Sequence, residues 1–142
     1  MNSSTHDHNF YAWTQEQVNL LKTGQLDQVD WQNIAEEIED MGRSEKRQLE
    51  SRLEILIIHL LKWQFQPSLR SRIWQLTIKE QRLRLEKLLG KNPSLQPHLT
   101  VTIEDVYPLA TISAERETGL SSFPQTCPYK LTEILSPEFL PQ

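Results

Sequence analysis

Four carboxylates, Glu36, Glu37, Glu39 and Asp40, fall within five residues of the stretch NIAEEIEDMGRSE at 33–45. Acidic side chains at this density suit cation binding or acid–base work if an imidazole or further carboxylates meet them. The sharpest such candidate cluster is Glu37, His59 and Glu80, with Arg52 or Arg84 as charge partners. These residues come from successive helical segments, and sites in helical bundles are built from side chains on facing helices. Metal spacing is weak, so a metal or small-ligand site in the bundle is only a third reading. A di-metal bundle site uses Glu-x-x-His on one helix, whereas Glu54 and His59 are five apart and do not share a face. Cys127 lies in a Pro-rich segment with no adjacent base. Ser44 reads as a helix cap and Ser51 as a helix-surface residue. No catalytic residue, metal or cofactor is assigned, and the chain reads as a non-enzymatic protein.

The elements that must position these residues are helical. With four Gly in 142 residues and abundant Leu, the chain is expected to form one all-α domain over 1–142. The expected architecture is an antiparallel bundle of about five main helices, with a flexible 1–9 segment and a Pro-punctuated tail, 120–142, strapped over it. Thr14 and Gln17 match a capping box for a first helix at 14–23, stopped by Gly24. Phe10, Tyr11 and Trp13 precede it as an aromatic strap. Asp30 caps a second helix, 31–41, whose residues Trp31, Ile34, Ala35, Ile38 and Met41 follow helical spacing and predict one buried stripe. Relative to that stripe Glu36 and Asp40 point away, while Glu37 and Glu39 flank it. Gly42 is expected to end this helix, and Ser44 to cap a third at 44–65, stopped by Pro67.

A fourth helix is expected from about 69 to 89, ended by Gly90. It carries two seams with coiled-coil-like spacing. One is Leu69, Ile73, Leu76, Glu80 and Leu83; the other is Trp74, Ile78, Gln81, Leu85 and Leu88. Two seams predict contact on two sides, and Glu80 in the first needs a cationic or hydrogen-bonding partner, or water. The last main helix is expected at 105–118, because Pro108 suits only a first turn; Gly119 ends it. One further helical turn is expected near Leu131–Leu135.

Net charge is −4, distributed as −7 over residues 1–42, +7 over 43–91 and −4 over 92–142. Acidic and basic helices folding against each other would neutralise internally, and a homodimer pairing acidic with basic faces would also account for the split. The basic block supports an alternative, a nucleic-acid-binding accessory protein using Arg43, Arg47, Arg70, Arg72 and Arg82. The sequence pI of about 5.6 runs against a strong footprint of that kind. The lone Cys127 allows no internal disulfide. The start of the chain lacks a signal-peptide pattern, and its longest wholly apolar run is Ile55–Ile58, so a cytoplasmic protein with no membrane contact is expected.

The order YAWTQEQVNLLKTGQ, NIAEEIEDMGRSEKRQLESRLEILIIHLLKWQFQP, SRIWQLTIKEQR, ETGL, FPQTCPY and EFLP resembles the bacterial family catalogued as domain of unknown function twenty-nine, abundant in cyanobacteria. The resemblance runs over residues 10 to 141. It implies a small all-α cytoplasmic protein and assigns no activity and no site residues. The role expected is therefore a protein-interaction or regulatory one, with an unidentified protein partner.

Overall fold

A computed structural model describes residues 2–142, with side chains from Thr5 onward. Among the described residues there are six α-helices: α1 (Asn2–His8), α2 (Phe10–Lys22), α3 (Trp31–Phe65), α4 (Arg72–Lys91), α5 (Leu99–Thr118) and the short α6 (Leu131–Leu135). Among the described residues there is no strand, and no helix is long and apolar enough to cross a membrane. The fold is all-α. By its contacts the chain divides into two compact units, Met1–Ser44 and Glu45–Gln142.

In the first unit the local signals are rearranged from expectation. Of the segment 1–9, Met1 lies outside the described residues and Asn2–His8 form α1. Asn9 is the cap of α2, its side chain accepting from the Ala12 amide. The helix therefore begins at Phe10 rather than at Thr14, and the Thr14 hydroxyl instead donates back to the Tyr11 carbonyl. Asn9 offers the same capping chemistry one turn earlier, which places Trp13 inside the helix and buries it. Phe10 and Tyr11 remain exposed. Gly24 takes a left-handed φ of 75° just beyond α2, the conformation that glycine adopts without steric cost. Asp30 caps α3 as expected: its carboxylate accepts from the backbone of Asn33.

Two helices, 31–41 and 44–65, are expected from the sequence; one unbroken helix, α3, is found. Gly42 breaks a helix only where the chain needs a left-handed turn, and here its φ is not positive. Its interior cost, about 1 kcal/mol relative to Ala, is outweighed by the strong helix formers on both sides. Ser44 accordingly sits mid-helix and caps nothing.

The second unit is organised around Leu49, Leu53, Leu56, Ile57, Leu60 and Leu61 of α3, all fully buried. They pack with Ile78, Leu85 and Leu88 of α4 and with Leu99, Ile103, Val106, Tyr107, Ala110 and Ala114 of α5. Ser71 starts α4 at Arg72, later than the expected 69, because its hydroxyl oxygen accepts from the Trp74 amide and Pro67–Leu69 form a separate 3-10 turn. The helix also runs through Gly90 to Lys91.

Helix α5 begins at Leu99, six residues before the expected start, so Pro108 lies in its interior. Pro108 is exposed. The carbonyl that its missing N–H leaves unpaired therefore sits on the wet side, and burial of Leu99, Thr102 and Ile103 carries the extra turns. Gly119 closes α5 with a φ of 76°.

The Pro-punctuated tail packs on this core. Tyr129 and Ile134 are buried in it, and Phe123, Cys127, Leu131, Leu135 and Phe139 pack against it. Its backbone is held by side chains of the helices. The Tyr129 hydroxyl donates to the Gln64 side chain at 2.8 Å. Arg82 donates to the carbonyls of Ile134 at 2.9 Å and Glu133 at 3.2 Å.

Candidate interaction face

The residues nominated for a polar cluster do not converge, and those with partners find different ones. Glu37 meets His6, with Oε2 at 3.0 Å from Nε2. The ring of His6 also lies edge-on to Phe10 and Trp13. His59 donates from Nδ1 to the Ile55 carbonyl at 2.8 Å, one turn back on its own helix. Burial pushes the His59 pKa down, only partly offset by that bond. Glu80 pairs with Arg84 at 2.9 Å on an exposed face of α4. Arg52 is half-buried on α3 and forms none of these contacts. The structure thus brings Glu80 and Arg84 together and gives Glu37 and His59 separate partners. Among the described residues no group of three His, Cys, Asp or Glu is placed to hold a metal.

Sequence reading missed His6. Its raised pKa has the Glu37 hydrogen bond as its largest cause. The only signal was an imidazole one helical turn before Phe10, inside a segment that reads as flexible. Asp30 does more than cap α3. Burial would raise its pKa, yet hydrogen bonds from Asn33 and Trp13 outweigh burial and hold it below the ordinary value. Its carboxylate accepts from the Trp13 indole at 3.0 Å, and its amide donates to Gln17 at 2.8 Å.

The arginines nominated for nucleic acid separate into two groups. Arg82 is buried on tail carbonyls. Arg70 donates to the Trp63 carbonyl at 2.7 Å and to the carbonyl of Gln142 at 2.8 Å. Both hold backbone carbonyls through Nε and Nη2, which commits part of each guanidinium's five N–H donors. Arg43 is exposed and pairs with Asp40. Arg47 and Arg72 are exposed, the latter bonded to Gln75.

Helix α4 resolves the two-seam pattern. The seam of Ile78, Gln81, Leu85 and Leu88 is buried, with Trp74 half-buried beneath the Lys62 ammonium at 4.9 Å from the ring centroid. The other seam is bare. Ile73 is 74% exposed, and Leu76 and Leu83 are exposed as well; Leu69, expected in this seam, lies ahead of the helix in the Pro67–Leu69 turn. Contact on two sides is therefore a correction: within this chain one side is uncovered. Glu80 tolerates its seam position because it is in water and paired to Arg84. Leu76 and Leu83 also form one wall of a groove of about 850 Å³, whose other wall is Leu135, Pro137 and Leu140 of the tail. Arg72 and Lys79 line the same groove.

The N-terminal part of α3 departs from expectation in the same sense. Trp31, Ile38 and Met41, expected to be buried, are exposed, Met41 by 67%. Ile34 is half-buried. The spacing correctly places these side chains on one face of the helix, but spacing does not state what covers that face.

Neither a curated protein nor a solved structure matches the chain. A family model matches residues 5–140, from α1 through the tail. By that match the chain belongs to the family described as domain of unknown function DUF29.

Proposed function

We propose that this protein is a non-enzymatic interaction module that holds a protein partner against the exposed seam of α4. The observation that carries this reading is the row Ile73, Leu76 and Leu83, all exposed on one face of α4 and spaced as a helix-packing seam beside an apolar groove. Contiguous apolar surface rimmed by charge is where proteins dock. A groove beside an amphipathic face suits a helix laid into it. Helix α5 also exposes Val101, Leu109 and Ile112, but two turns separate the first two, which gives a sparser face. The test is a photo-crosslinking residue at position 73 of the full chain in cells, with the exposed position 115 on α5 as comparison. A discrete adduct from 73 and none from 115 is expected; equal labelling at both sites overturns the reading.

The exposed Arg47, Lys79, Arg84 and Lys87 support a second reading, that the basic block contacts nucleic acid. Titration with a generic duplex should then give binding that weakens steeply with added salt, because phosphate contacts release counterions. With Arg70 and Arg82 committed to backbone carbonyls, the expected result is little binding at physiological salt.

A further inference from the structure

The exposed seam of α4 has a counterpart elsewhere in the same sequence. Ile73, Leu76, Glu80 and Leu83 are spaced by three, four and three residues. Trp31, Ile34, Ile38 and Met41 on α3 have the same spacing, and of these Trp31, Ile38 and Met41 are exposed. Alternating steps of three and four make a seam that packs against another such seam at a shallow crossing angle. The two seams have the same length. In either orientation three of the four layers set apolar against apolar, and the fourth sets Glu80, paired with Arg84, against Ile38 or Ile34.

Their flanks are opposite in charge. The α3 stripe belongs to a segment with a net charge of −7 over residues 1–42. The α4 seam belongs to one with +7 over residues 43–91 and is bordered by Arg72, Lys79 and Arg84. Like-charged alternatives are weaker. Two copies of α4 laid together would bring basic flanks against each other, and like charges opposed across an interface are costly.

We infer that the occupant of the α4 seam is a second copy of this chain, presenting the acidic stripe Trp31–Met41 of its α3. This inference rests on α4 being the docking face and names its partner. Each copy carries one stripe and one seam, so association needs no other component.

The test is sedimentation velocity of the full chain across a dilution series, with three variants changed only at exposed positions. Ile73→Lys places a charge in the seam. Lys79→Glu with Lys87→Glu reverses the basic side. Ala35→Lys with Glu39→Lys reverses the acidic side while leaving Glu37 with His6. The wild-type chain should associate, and each variant should weaken association about tenfold or more. Mixing the two charge-reversed variants should restore association, since each then meets an opposite charge. A wild-type chain that stays monomeric throughout overturns the second-copy inference alone, because the position-73 crosslink still reports on the docking face. Association that ignores Ile73→Lys overturns α4 as the face. Association lost in both α4 variants but kept in Ala35→Lys/Glu39→Lys overturns the α3 stripe as the occupant.

Discussion

His6 and His59 illustrate how the same side chain takes opposite roles from its surroundings. The Glu37 hydrogen bond raises the His6 pKa above 6.5 in the folded state. That contact's contribution to stability is therefore fully present below about pH 6.5 and is lost as pH rises through the folded value. Burial lowers the His59 pKa instead. Its neutral form suits the fold, so residues 45–142 lose stability as pH falls from about 6.5 toward the lower folded value. Imidazole titration by NMR should place His6 above His59, and Glu37→Gln should lower His6 while leaving His59 in place. If Glu37→Gln does not move His6, the contact is not what holds that proton. Arg82 carries a different kind of contribution. Replacing it by Met leaves the carbonyls of Glu133 and Ile134 without their donor in a buried setting, at a cost of about 1–3 kcal/mol. Thermal melts should show that loss, and hydrogen exchange should show α6 opening first. Arg82→Lys should recover only part of it, since one ammonium does not reproduce the two-point guanidinium fork.

At the scale of elements, α3 offers a direct check. Gly42 has nothing within 4 Å of where a Cβ would stand, and its φ is not positive. Gly42→Ala should therefore stabilise the helix by about 0.5–1 kcal/mol. A lower Tm for that variant would show that the chain does turn at Gly42, as the sequence alone suggests. The remaining boundaries moved for equally local reasons. Asn9 and Ser71 supply caps that compete with the ones the pattern favoured, and the apolar face of α5 carries the helix through Pro108. Helical spacing identified which residues share a face on α3 and α4. It could not tell a covered face from a bare one, because a stripe destined for the core and a stripe destined for a partner have the same periodicity.

For the whole molecule, the uneven charge gives an ionic-strength signature. If opposite charges draw copies together, association should weaken progressively as salt is raised, since exposed charges are screened over about 8–10 Å at physiological ionic strength. Association that stays constant or strengthens with salt would point to apolar contact alone. Composition, periodicity and the Gly and Pro positions determined on their own that the chain is helical, where Gly24, Pro67 and Gly119 interrupt it, and which residues of α3 and α4 share a face. These are local properties, set by backbone sterics and by side-chain repeats within a few turns. Tertiary structure alone decided that Glu37 meets His6 and that Arg82 turns inward to the tail. It also decided that one seam of α4 is buried while the other faces solvent. Those outcomes depend on which residues distant in sequence reach each helix face, and no local spacing encodes that.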